Sequence, residues 1–208
     1  RLFNEHFKIG CDLSILPMAG WNRRMYFFET GLQWILPSPN LPTPGSCMVY
    51  PGQVIFEGTN LSEGRGTTLP FELLGAPWLD AGAIKQAVEK RMEGVLLRPA
   101  VFEPTSGKWA GEPCRGFQLH VTDRWAFKPY KTALLILQEI FRAHPEDFAL
   151  KSPPYEYEYE KTPLDLILGS RNLREKVFAM TDIDEIEQHW QKDLNRYLET
   201  AREFHLYD

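Results

Sequence analysis

With 208 residues, 43% of them apolar and 25% charged, the chain has the composition of a globular protein with a sizeable core. A formal net charge of −5 excludes nucleic-acid recognition through a broad basic face, while leaving room for an anion in a local arginine pocket. No apolar run reaches the roughly 20 residues of a membrane helix, and Cys11, Cys47 and Cys114 stand far apart with no CxxC pair.

The chain begins at Arg1 with no signal-peptide pattern after it, so it is expected to be processed or to be a piece of a longer protein. Residues 9–16 read as a core strand. Residues 20–50 are rich in aromatic residues and proline, and Pro37, Pro39, Pro42 and Pro44 predict an ordered wall loop without regular structure. Residues 49–56 read as extended, broken by a Pro51-Gly52 turn and ending in the apolar run Val54-Ile55-Phe56. Pro70 to Gly75 reads as a short helix, with proline at its start and glycine past its end. Asp80 is placed to cap a helix running to about Arg91. Strands are expected over 94–102 and 116–121, and amphipathic helices over 129–144, 163–168 and 182–204. The Tyr155-Glu156-Tyr157-Glu158-Tyr159-Glu160 alternation suits a two-faced extended segment. A division near residue 79 is expected, with no linker to mark it.

The richest chemistry lies in residues 57–67, Glu57-Gly58-Thr59-Asn60-Leu61-Ser62-Glu63-Gly64-Arg65-Gly66-Thr67. Three glycines, two carboxylates, an amide, an arginine and three hydroxyls share eleven positions. Glycine lets backbone approach a ligand closely, and the planar guanidinium of Arg65 offers a fork for an anion. Glu57, Glu63 and Glu72 bracket the loop. The first two suit glycoside hydrolysis, which commonly needs two carboxyl groups. His120 and Asp123 form a possible proton-transfer pair at a strand end. Trp21, Trp34 and Trp78 offer faces for stacking on a sugar. HExxH, P-loop and GxGxxG patterns are absent, so the residues give no reason to expect a metal or nucleotide cofactor.

Several segments in order carry a family resemblance: Gly10-Cys11-Asp12-Leu13, Pro17-Met18-Ala19-Gly20-Trp21, Glu29-Thr30-Gly31, Pro37-Ser38-Pro39-Asn40, Tyr50-Pro51-Gly52, the 57–67 loop and Gly75-Ala76-Pro77-Trp78. Arg98-Pro99, Gln118 to Asp123, Pro154 to Tyr157 and Asp165 to Ser170 extend it. The chain resembles the NamZ/YbbC family of exo-β-N-acetylmuramidases. The resemblance implies an α/β protein: part of a Rossmann-like sheet over residues 1–78, then a smaller α+β C-terminal domain over 79–208, with the site in a cleft between two domains. It implies release of N-acetylmuramic acid from the non-reducing end of peptidoglycan fragments, without a cofactor, and an extracytoplasmic location. Roughly the first half of the family pattern is absent.

On this reading Glu63 and Glu57 are the catalytic candidates. Arg65, and second Arg24, would meet the lactyl carboxylate. Asn40, Asn60, Thr67, Glu72, His120 and Asp123 would line the substrate. Muramyl saccharides are the expected partners, and nucleic acid is not. A non-catalytic glycan-binding module on the same scaffold is the alternative.

Overall fold

The computed structural model describes residues 1–208. The chain forms two compact units, Arg1–Trp34 with Glu187–Asp208, and Ile35–Ile186.

The larger unit is built around helix α4, Pro129–Ala143, whose residues 132–138 and Ile140 are all buried. Pro129 opens it, its missing N–H being one that a first helical turn leaves unpaired in any case. Helix α2, Pro44–Gln53, packs on α4. Thr43 caps it by accepting from the Ser46 amide at 3.0 Å, and the Ser46 hydroxyl donates back to the Thr43 carbonyl at 2.7 Å. A 3₁₀ turn over Val54–Gly58 continues it and buries Ile55 and Phe56.

Beside these helices lies one antiparallel sheet in the order β1-β3-β2, formed by β1 (Leu73–Ala76), β2 (Val95–Phe102) and β3 (Cys114–Val121). Leu73 faces Gln118 and Leu97 faces Leu119 across the ladders. The central strand carries Gly116, where a Cβ would stand 1.9 Å from the Leu74 carbonyl oxygen, so this position admits no side chain. Pro99 sits in the outer strand β2, opposite Phe117. Helix α3, Ala81–Val88, is capped by Asp80, which accepts from the Ala83 amide at 3.0 Å. Gly169 takes a left-handed φ of 74° to end α5, Pro163–Leu168, and Ser170 caps α6, Arg171–Phe178, directly after it. Gln138 of α4 donates to the Val177 and Thr181 carbonyls at 3.0 and 2.8 Å, tying the end of α6 to the core.

The smaller unit contains a short helix α1, Leu2–His6, a 3₁₀ turn over Phe27–Glu29, and most of α7, Ile183–Arg202. The Met18 amide donates to the Tyr207 hydroxyl at 2.6 Å, and the Trp21 and Tyr207 rings meet edge to face at 5.1 Å.

The mixed α/β class expected from the sequence is the one observed, and the elements placed at residues 80–91, 94–102, 116–121, 129–144, 163–168 and 182–204 lie where the sequence put them. Several segments differ. Residues 155–158 make a tight turn, not an extended segment, Tyr155 and Glu158 exchanging hydrogen bonds at 2.9 and 3.0 Å, and the loop expected over 20–50 gives way to helix at Pro44, where a proline suits the first helical turn. Residues 49–56 are helix and 3₁₀ turn, not strand, because the Thr43-Pro44 start and burial against α4 outweigh an apolar run whose periodicity does not separate strand from helix. Pro51-Gly52 lies inside α2 and makes no turn between strands. Residues 73–76 are a fully buried strand, not the end of a helix, since β3 supplies a ladder and Gly75 also exchanges two hydrogen bonds with Ser62, at 2.8 and 2.9 Å. Residues 9–16 form no strand. The Cys11 amide donates to the Asn4 side chain at 2.8 Å in place of a ladder partner. The division expected near residue 79 falls within the sheet, since β1 precedes that point and β3 follows it.

Candidate functional site

The 57–67 loop is held from three sides. Gly58 lies so close to α5 that a Cβ would meet the Leu164 backbone at 2.8 Å. The Asn60 amide and carboxamide clamp residues 147–149: Asn60 N donates to the Ala149 carbonyl at 2.9 Å, Nδ2 to the Asp147 carbonyl at 2.8 Å, and Oδ1 accepts from the Ala149 amide at 3.0 Å. Gly66, at φ 79°, accepts from Thr105 N and Oγ1 at 2.9 and 2.8 Å, and a Cβ there would stand 2.5 Å from the Ser106 amide nitrogen. Two aromatic residues beside the loop take left-handed backbone, Phe71 at φ 64° and Trp109 at φ 59°. Such strain persists only where surrounding contacts over-determine it. Here Phe71 N donates to the Glu63 carbonyl at 2.7 Å and Trp109 Nε1 to the Asn60 carbonyl at 2.6 Å.

Inside this frame lies a charged cluster. Arg65 bridges the two candidate carboxylates: Nη2 meets Glu57 Oε1 at 2.5 Å and Nε meets Glu63 Oε1 at 3.2 Å. The guanidinium also lies 5.0 Å over the Phe71 ring. Glu63, with its side chain 5% exposed, gives its other oxygen to Lys108 Nζ at 2.8 Å. Lys108 Nζ also donates to the Phe56 and Leu61 carbonyls at 2.7 and 2.8 Å. The Tyr155 hydroxyl donates to Glu57 Oε2 at 2.9 Å. Burial opposes the charge on Arg65, but the Glu57 hydrogen bond and both carboxylates outweigh it and raise its pKa. Burial lowers the pKa of Lys108 against the pull of Glu63.

The structure thus brings together Glu57, Glu63 and Arg65 and adds Lys108 and Tyr155, which sequence reasoning missed. Lys108 sits in Ser106-Gly107-Lys108-Trp109 with no local mark, and Tyr155 reaches Glu57 from far along the chain. The Tyr-Glu alternation was the one visible signal. Arg65 is not a free fork: two carboxylates occupy it, and its side chain keeps 36% of its surface.

The remaining candidates are dispersed. Asn60 is committed to residues 147–149. The Thr67 hydroxyl donates to the Gly64 carbonyl at 2.6 Å and accepts from the Leu69 amide, closing the turn. Glu72 accepts from the Thr43 hydroxyl at 2.9 Å. His120 accepts from Arg98 Nε at 3.3 Å, while Asp123 accepts from the Trp125 and Ala126 amides at 2.8 and 3.2 Å. The two therefore serve separate structural ends and make no proton-transfer pair. Asn40 is half-buried beyond the Pro39 bend, and exposed Arg24 belongs to the smaller unit. Trp34 packs edge to face on Phe27 and Trp78 lies against His144. A cleft of about 500 Å³ runs beside Trp78, Asp80, Val101 and Arg115, and one of about 710 Å³ beside Lys161, Asp165, Ser170 and Arg174. Neither is lined by the 57–67 loop.

The neutral Tyr155 phenol gives a test of this cluster. Burial first, and then its hydrogen bond to the Glu57 carboxylate, raise its pKa well above the ordinary tyrosine range. A group raised in the folded state contributes stability that is complete below its unfolded pKa, about 10 for tyrosine, and is lost as pH climbs beyond it. Tyr155→Phe is expected to flatten the fall of the melting temperature above about pH 10. Identical slopes for variant and parent would show that the phenol does not serve Glu57.

No helix is long and apolar enough to cross a membrane. The chain is 39% identical over 207 residues to the peptidoglycan beta-N-acetylmuramidase NamZ of Bacillus subtilis (strain 168), covering 99% of this chain and 48% of that protein. It therefore spans about half the length of this relative. A crystal structure of a DUF1343 family protein from Bacteroides fragilis superposes with a TM-score of 0.85 at 26% identity, over 100% of this chain and 54% of the other. A second protein of that family and organism gives a TM-score of 0.64 at 22% identity, over 95% of this chain and 50% of the other, a likeness of fold. Residues 48–207 match the C-terminal domain of the exo-beta-N-acetylmuramidase NamZ, and residues 1–45 match its N-terminal domain, so part of the N-terminal pattern is present after all. With both domain patterns found in order along it, the chain belongs to the NamZ exo-beta-N-acetylmuramidase family.

Proposed function

We propose that the protein is an exo-acting β-N-acetylmuramidase that releases terminal N-acetylmuramic acid from peptidoglycan fragments, and that this chain supplies one wall of its cleft. The observation that carries this reading is the 39% identity to a peptidoglycan beta-N-acetylmuramidase over 207 residues. The charged cluster fits it. The accessible edge of Arg65 meets the lactyl carboxylate that distinguishes muramic acid from glucosamine, and Glu57 and Glu63 fix the plane of the guanidinium. Glu57, with a side chain 14% exposed and Tyr155 on one oxygen, is the acid–base candidate of the pair. Glu63, with cationic donors on both oxygens, positions Arg65. On this reading the protein acts where peptidoglycan lies, outside the cytoplasmic membrane.

The test is hydrolysis of a chromogenic N-acetylmuramide by the full-length protein. Arg65→Lys is expected to raise KM for the muramide at least about tenfold, the loss of one good charge-assisted hydrogen bond. KM for the N-acetylglucosamine analogue is expected to change far less. Equal loss on both substrates would reject lactyl recognition, and no turnover of either by the parent would reject the activity.

One observation favours a second reading, a non-catalytic glycan-binding module. Both candidate carboxylates already have internal partners on both oxygens. Muramic acid binding without turnover in the full-length protein would select it.

A further inference from the structure

Arg98 carries a charge that nothing in the chain cancels. Arg65, Arg91 and Arg174 of the same unit each hold a carboxylate, whereas Arg98 enters no ion pair and donates only to neutral groups. Its Nε donates to His120 Nε2 at 3.3 Å and its Nη2 to Gln118 Oε1. An imidazole nitrogen that accepts carries no hydrogen, so the His120 ring is neutral and its hydrogen lies on Nδ1. Gln118 is 9% exposed and its oxygen is committed to the guanidinium, which fixes the plane of the fork. Neutral acceptors orient a guanidinium without cancelling its charge. Both hydrogens of Nη1 and the second of Nη2 keep no protein acceptor, and neither His120 Nδ1 nor Gln118 Nε2 donates within the chain. A set made of donors around one uncancelled positive charge suits an anion, and the planar fork suits a carboxylate in particular.

The sheet relates this group to the 57–67 loop. Arg98, Gln118 and Leu73 are partners in one row across β2, β3 and β1, so their side chains share a face, and His120 joins it two residues along β3. Gly64 lies over Leu73 on that face, where its Cβ would stand 3.0 Å from Leu73 Cβ. Arg65 is the next residue. Two strand spacings, about 10 Å, separate the Leu73 end of the row from Arg98. That is wider than one sugar ring.

We propose that Arg98, oriented by Gln118 and His120, binds a second lactyl carboxylate of the glycan, two sugars beyond the one met by Arg65. On the muramidase reading, on which this assignment rests, the substrate alternates N-acetylmuramic acid with N-acetylglucosamine, so the carboxylate recurs on every second sugar. Arg65 then reads the terminal sugar, and Arg98 reads the length of glycan behind it.

The test uses the full-length protein and two peptide-free glycans with muramic acid at the non-reducing end, a disaccharide with one lactyl carboxylate and a tetrasaccharide with two. The parent is expected to show the lower KM on the tetrasaccharide. Arg98→Gln is expected to raise that KM about tenfold, the loss of one charge-assisted pairing, and to move the disaccharide KM less than about twofold. Gln118→Glu keeps Arg98 and gives it an internal carboxylate, so the same rise on the tetrasaccharide is expected. A bond that served only the sheet would survive that exchange. A tetrasaccharide KM unchanged in Gln118→Glu, or an equal rise on both glycans in Arg98→Gln, would overturn the assignment. If the parent cleaves neither glycan, the activity fails, and calorimetric titration of the same two glycans decides the site. Tighter binding of the tetrasaccharide that Arg98→Gln abolishes supports it, and equal binding of both lengths overturns it.

Discussion

Replacing Lys108 by methionine is expected to lower the melting temperature by roughly 10 °C, from a loss of about 3–5 kcal/mol at about 2–4 °C per kcal/mol in a chain of this size. The loss has named parts. The amine donates to the Phe56 and Leu61 carbonyls and to Glu63, and methionine removes all three bonds, the Phe56 carbonyl keeping the Thr59 amide and hydroxyl at 3.0 and 2.8 Å. Glu63 is 4% exposed, so its second oxygen would stand unpaired out of water. Removing the charge as well, in Lys108→Met with Glu63→Gln, should recover part of the loss, and a double-mutant cycle from thermal melts measures how much. Burial depresses the Lys108 pKa, so between that lowered value and its unfolded value of about 10.4 the folded state gives up its proton first. Stability from this site therefore rises with pH in that window, and the variant should lack the rise. A Lys108→Met protein melting within about 1 °C of the parent would remove the amine from the framework of the loop.

Gly52→Ala should destabilise, against the usual sense of glycine-to-alanine changes in helices. Alanine gains about 1 kcal/mol over glycine in a helix interior. At Gly52 the added Cβ would stand 2.1 Å from the Pro129 carbonyl oxygen and 3.2 Å from Ala133 Cβ. Most of the obstacle is backbone, which does not swing aside, so α2 must move off α4. Overpacking of this kind costs about 1–3 kcal/mol and sometimes more, and the contact here is severe enough to exceed the propensity gain. A net loss near 2 kcal/mol, or about 4–8 °C, is expected. Gly82→Ala in α3 is the control. Its Cβ would find only Asp80 Oδ1, at 3.5 Å, so it should be neutral or gain up to about 1 kcal/mol. Denaturant melts of both variants decide the matter: equal changes would mean that the α2–α4 approach does not constrain residue 52.

What the sequence revealed of the fold follows from where its information is local. Asp80, Pro129 and Pro163 mark helix starts through chemistry within one turn, and the alternating side chains of 94–102 and 116–121 mark strands, the second of them the central strand, buried on both faces over Gly116 to Leu119. Residues 49–56 and 70–76 misled because neighbours distant in sequence decide them. Phe56 lies in a 3₁₀ turn because α2 runs into it and α5 packs against it, and Leu74 is extended because β3 pairs with it. The same holds for the site. The 57–67 loop announced its glycines and charges, and these do converge. That the charges satisfy one another could not be read, since it needs Lys108 and Tyr155 brought from residues 45 and 98 positions away from their partners. Asn60 and Thr67 looked like ligand-binding groups because their side chains suit that role, yet each serves the backbone of the loop.

Pro99 has a consequence for how the molecule behaves in a crowd. It occupies the border strand, where Leu96 and Val101 remain 51% and 72% exposed. A sticky margin with all its amides free would invite a stray extended chain to add on, the first step toward fibrils. Lacking an N–H, proline interrupts the row of donors such a guest would need. The ring thus acts as a guard against aggregation, which leaves the margin greasy but unable to seed growth.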